Sequence, residues 1–150
     1  MYKEIAEKHN IELIEIVAGD KYCEANGEDN YKNRSYVAGN DQIFLGIYDD
    51  EELRKISFFH ELGHCLDKRD WIGDTNIASI TVWDVEAVAW GLGIEYANNM
   101  GIQFSDEALA WAREQLATYV GYESREQGVL FKDFNNEKYN TDVFATFANR

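Results

Sequence analysis

Proline is absent from all 150 residues, cysteine occurs twice and histidine three times. Without proline there is no stiff linker between domains, and the length suits a single one, since domains cluster near about 100–150 residues. Cys23 and Cys65 are too few for a disulfide framework. No stretch approaches the roughly 20 apolar residues needed to cross a bilayer, and residues 1–8 lack the apolar centre of a signal peptide. These absences predict a cytoplasmic protein kept reduced.

Positive charge is scarce too: 14 Lys and Arg stand against 28 Asp and Glu, a formal net charge of −14. The basic footprint of a nucleic-acid binder is therefore missing, and an anionic membrane surface would repel the chain. Solubility is the simplest account of such acidity. Steering of basic substrates and mimicry of a nucleic-acid backbone are two sharper accounts. Aromatic residues, by contrast, are plentiful: four Trp, nine Tyr and eight Phe within a 45% hydrophobic chain. That apolar surface excludes a disordered protein.

Tyr2, Ile5 and His9 recur at helical spacing and predict a short first helix. Residues 11–17, rich in branched side chains, predict a strand. Residues 19–34 are mostly polar and predict a long surface loop. Around Ala38-Gly39-Asn40-Asp41, residues 35–37 and 42–48 predict a hairpin. In the second arm Ile43, Leu45 and Ile47 alternate with Phe44, Gly46 and Tyr48, as in a strand with two unlike faces. Asp49 with Glu52 predicts the capped start of a helix reaching Lys68 or Arg69. A second long helix is expected over 77–99, closed by Gly101. A third should start at Ser105, with Asp106 and Glu107 in its first turn, and end near Gly121. Its inner face would carry Leu109, Ala112, Leu116 and Val120. A short helix over 141–148 completes an α+β expectation, with a small sheet followed by packed helices.

The informative segment is Phe59-His60-Glu61-Leu62-Gly63-His64 inside the first long helix. Residues four apart on a helix lie only about 40° apart around it, so the two imidazoles project to one side. They can share a Zn²⁺ ion at about 2.0–2.1 Å per nitrogen. Glu61 points about 100° from His60, beside the ion rather than on it. From there it can take a proton from water that the metal acidifies. The bland alternative is a pair of buried histidines satisfied by core partners.

A catalytic zinc needs a third protein ligand and an open position. His9 is the one remaining histidine and lies far upstream, so the candidates are acids. Projected at about 100° per residue, the second long helix places Glu86 on the face of Trp90, Gly93 and Ala97, with Ala89 adjoining. Asp84 and Glu95 fall on a polar side with Asn98. Small residues at 89, 93 and 97 would let this helix approach the histidine helix closely. Asp70 is the rival, six residues after His64, where metzincins carry their third ligand; that pattern needs Gly at position 67, and Asp67 stands there instead. Glu86 is therefore preferred. Asp67 fits either an acceptor for an imidazole N–H or a solvated helix-end charge.

His60-Glu61-Leu62-Gly63-His64 followed by Asp84-Val85-Glu86-Ala87-Val88-Ala89 resembles the gluzincin type of zinc metallopeptidase (zincin). Within it the chain is most similar to the compact ImmA/IrrE-like peptidases of bacteria and their phages. The resemblance spans about 42–100 and implies a zincin-like fold, one catalytic Zn²⁺ held by His60, His64 and Glu86, and Glu61 as general base. It also implies that the strand before the active-site helix lies at the cleft edge and pairs with an extended substrate. Gly46 in that strand suits either close backbone approach or a bulge. Tyr96, Arg113 and Tyr119 are each candidates for stabilising the tetrahedral oxyanion. Cys65 turns about 100° from His64 and suits core packing.

The expected function is a monomeric zinc endopeptidase acting on a peptide or protein, with no nucleic acid or membrane partner. The alternative is an acidic binding protein or nucleic-acid mimic, with clusters such as Asp49-Asp50-Glu51-Glu52, in which the zinc site is structural or catalytically silent.

Overall fold

Branched residues in alternation build a small sheet in the first third of the chain. The computed structural model describes residues 1–67 and 82–118. Helix α1 (Tyr2–Lys8) buries Ile5 and Ala6, and strand β1 (Glu12–Glu15) follows directly. Strands β2 (Tyr36–Ala38) and β3 (Gln42–Leu45) form the expected hairpin. Gly39, with φ of 61°, takes the left-handed turn conformation that few other residues adopt cheaply. The sheet order is β1-β3-β2, with β3 parallel to β1 and antiparallel to β2.

That order corrects one expectation. The strand over 42–48 does not lie at an edge: β3 is central and paired on both sides, while β2 is an outer strand. The reason is the parallel return of β1, which occupies the side of β3 left free by the hairpin. Ile43 and Leu45 are fully buried towards the helix over Glu51–Leu66, while Phe44 turns to the opposite face and stacks on Tyr36 at 4.8 Å.

Residues 19–34 also differ from the expected loop. Helix α2 (Lys21–Asn26) is started by Asp20, whose carboxylate accepts from the backbone N–H groups of Tyr22 and Cys23. A single 3-10 turn over Glu28–Asn30 follows. Cys23 and Tyr31 pack with Ile16 in a small separate core. Two apolar anchors in so polar a stretch leave no periodicity to read, so a side-chain cap fixes this segment.

Helix α3 (Glu51–Leu66) carries the histidines. Its cap is Asp50, accepting from Glu52 N–H at 2.8 Å, one residue later than the expected Asp49. It ends at Leu66, with Asp67 extended and buried. Helices α4 (Val82–Asn99) and α5 (Asp106–Ala117) follow. Gly101 closes α4 at φ 85°, and Ser105 Oγ accepts from Ala108 N–H at 3.1 Å to start α5. Leu109, Ala112 and Leu116 face inward as expected.

Among the described residues the architecture is thus α+β, with five α-helices and a mixed three-stranded sheet. Helix α3 lies between the two halves of the core. Phe58, Phe59 and Leu62 pack towards α1 and the sheet, and Ile56 packs towards α4 and α5. All four are fully buried, each contributing about 1.5–3 kcal/mol. No helix among the described residues is long and apolar enough to cross a membrane. Expectations at Lys68, Arg69, Asp70, Tyr119, Val120, Gly121, 77–81 and 141–148 lie outside the described residues.

Candidate metal centre

The site begins with how closely two helices can approach. At Gly63 of α3, a Cβ would stand 1.9 Å from the carbonyl oxygen of Ala89 on α4. At Gly93 of α4, it would stand 1.9 Å from the carbonyl oxygen of Phe59 on α3. The two glycines therefore set backbone against backbone, as the run of small residues on α4 predicts. At that separation the carboxylate of Glu86 reaches across to α3.

It reaches both histidines. Glu86 Oε2 accepts from His60 Nε2 at 3.0 Å and lies 2.6 Å from His64 Nε2. The imidazole rings sit one helical turn apart with centroids 4.7 Å from each other. Glu61, only 5% exposed, places Oε1 3.4 Å from Nδ1 of His60. Ligand atoms of His60, Glu61 and His64 all fall within 4.8 Å of one another, a grouping that could hold a metal ion. Trp90, one turn beyond Glu86, lies flat on His60 with centroids 3.9 Å apart and an interplanar angle of 5°. This stack holds the ring so that Nδ1 faces Glu61 and Nε2 faces Glu86.

Charge in the site follows from these contacts. Burial opposes the imidazolium form of His60, but the carboxylates of Glu61 and Glu86 outweigh it and push its pKa up to about 9. Burial likewise opposes the charge on Glu86, yet hydrogen bonds from His60 and His64 hold its carboxyl far below the usual range. Two imidazole Nε2 atoms and a carboxylate oxygen at one point are a donor set suited to Zn²⁺. Two ligands on a tetrahedral ion at about 2.0–2.1 Å stand about 3.3 Å apart. Both observed separations, 3.0 and 2.6 Å, are a little shorter.

These four side chains line a cleft of about 620 Å³. Ser57, Tyr48 and Trp111 line it too, together with Ser35, Tyr36 and Val37 from the outer strand and its approach. The other expected residues go elsewhere. Tyr96 bonds to Nε2 of His9 at 2.9 Å, tying α4 to the end of α1. Neither Tyr96 nor Arg113 is among the described residues lining the cleft. Gly46 serves an internal approach, since a Cβ there would stand 1.8 Å from the Arg34 carbonyl oxygen. Asp67 is buried, which removes the solvated-charge alternative, and Cys65 is buried in the core with Phe58 and Phe59. The acidic run before α3 is engaged locally: Asp50 caps the helix, Glu51 meets Tyr2 and Arg54, and Glu52 meets Lys55.

Sequence reasoning missed Ser57, Trp90, Tyr48 and Trp111. Helical projection already set Trp90 on the face of Glu86 without giving it a role, and Ser57, one turn before His60 and Glu61, was open to the same reading. Tyr48 and Trp111 arrive by packing between distant segments and leave no local signal.

Comparison with protein-family models, with curated proteins and with solved structures finds no match for this chain.

Proposed function

We propose that the chain is a zinc-dependent endopeptidase of the gluzincin type, related to the ImmA/IrrE-like group and acting in the cytoplasm on a peptide or protein. The observation that carries this reading is the meeting of His60 Nε2 and His64 Nε2 at one oxygen of Glu86, with Glu61 beside them in an open cleft. Salt-bridged histidines in a sealed core would need no cleft.

His60, His64 and Glu86 would hold the ion, which when bound supplies Lewis acidity towards a carbonyl oxygen and acidifies water in its open position. The chain's own residues do the rest. Glu61 takes the proton of the attacking water as oxygen adds to the scissile carbonyl carbon. The same carboxyl gives that proton to the departing amine as the C–N bond breaks. Trp90 keeps His60 from turning. Tyr36 and Val37 place β2 at the cleft, and among the described residues β2 has a strand neighbour on one side only. Its outer edge, rather than that of β3, would align an extended substrate by main-chain hydrogen bonds.

Metal analysis of the purified protein, paired with cleavage of an unfolded protein with and without chelator, tests the reading. One zinc per chain and chelator-sensitive cleavage are expected. Folded protein that takes up no zinc would sink it.

A further inference from the structure

The proposed reaction needs a donor for the carbonyl oxygen that becomes negative as water adds, and the hydroxyls of Ser57 and Tyr48 both line the cleft. Ser57 is 3% exposed and lines the cleft, and among the described residues its Oγ has no hydrogen-bond partner. A buried hydroxyl left unpaired costs about 1–3 kcal/mol, so such a group in a cleft points to a ligand. Four residues before Glu61 on α3, it shares the face on which the base sits.

Tyr48 supplies the second hydroxyl. Its Oη lies 3.0 Å from Ser35 Oγ. Ser35 Oγ already accepts from Gly46 N–H at 2.9 Å. A serine hydroxyl has one proton to give. Ser35 Oγ keeps its proton and one further lone pair, so its bond with Tyr48 Oη can run either way; when Ser35 donates, the phenol's own proton is free for a ligand. The edge of Trp111, with ring centroids 6.4 Å apart, fixes the Tyr48 ring. Burial raises the phenol's pKa against the opposing effect of the Ser35 and Ser57 hydroxyls, which keeps it protonated, and Tyr48, Ser57 and Glu61 line the same cleft.

We propose that Tyr48 Oη, anchored by Ser35 and joined by Ser57 Oγ, donates to the developing oxyanion of the substrate. Tyr48 is then a catalytic residue and Ser35 a positioning residue. The assignment rests on the peptidase reading above, but it fails separately from it. No covalent bond forms to either hydroxyl; each lends its hydrogen while the oxygen carries the charge.

The test compares zinc-loaded wild type with Tyr48→Phe, Ser57→Ala and Ser35→Ala. It measures kcat and KM, and affinity for a phosphinic peptide, whose oxygens imitate the charged intermediate, and for a mercaptoacyl peptide, which lacks them. Tyr48→Phe keeps the ring against Trp111 and should lower kcat by about 100-fold or more, as removal of one oxyanion donor does. KM and mercaptoacyl affinity should stay within about twofold, while phosphinic affinity falls at least about tenfold. Ser35→Ala should produce a smaller loss of the same pattern. Tyr48→Phe and Ser57→Ala variants that both match wild type in kcat and phosphinic affinity overturn the proposal while the peptidase reading stands. A wild type that neither cleaves nor binds the phosphinic peptide overturns both.

Discussion

Gly63 on α3 sits so near Ala89 on α4 that any side chain at position 63 would enter the Ala89 carbonyl, and Gly93 repeats the relationship against Phe59. Those two contacts fix the distance between the helix that bears the histidines and the helix that bears Glu86.

Replacing Gly93 with Ala tests this. In an exposed helix the change would stabilise by about 0.5–1 kcal/mol. Here the new methyl meets backbone, which no rotamer change can relieve, so the helices must separate. A net loss of about 2–3 kcal/mol in urea unfolding is expected, with weaker zinc binding. Unchanged stability would mean that the helices move apart without cost.

Glu61→Gln should retain zinc and lose cleavage. Gln keeps the shape of the side chain but cannot take up the proton of attacking water, and general-base removal costs about 100-fold to 10,000-fold in rate. Zinc content by atomic spectroscopy and a cleavage assay on the same sample decide it. Loss of zinc together with unchanged cleavage would contradict the assigned role.

Glu86→Ala should weaken zinc binding by more than about 100-fold, because even partners outside the coordination sphere are worth about 10–100-fold. Competition with a chromophoric chelator measures this. If Glu86→Ala stays fully loaded while Asp70→Ala empties the site, the third ligand is misassigned.

The metal-free protein should show a pH signature of its own. His60 is raised from its ordinary 6.5 to about 9 in the fold. A raised folded value favours the folded state while the group is protonated. Its contribution is complete below about 6.5 and is lost as pH rises through about 9. Glu86 has the opposite sign: its carboxyl is held below the ordinary 4.5, so its contribution is present above that value and fades as pH falls below it. The urea midpoint of metal-free wild type should therefore drop between pH 7 and pH 9.5 more steeply than that of metal-free His60→Gln. Parallel slopes would remove His60 as the source.

The sequence alone determined the features that depend on helical geometry. The spacing of His60 and His64 fixes two imidazoles on one side of α3, and the spacing of Glu86, Trp90, Gly93 and Ala97 fixes the inward face of α4. Both periodicities belong to the helix itself, so no distant contact was needed to read them. The caps at Ser105 and Gly101 were legible for the same reason. Tertiary structure decided what depends on segments far apart in the chain. The parallel return of β1 made β3 central and, among the described residues, left β2 outermost beside the cleft, and Asp20 with two apolar anchors ordered a stretch whose composition reads as loop. Helix crossing brought Glu86 Oε2 to both imidazoles, and packing carried Tyr48 and Trp111 into the cleft. Such contacts arise where close packing offers one arrangement that buries the apolar faces, and no local pattern encodes which residues then become neighbours.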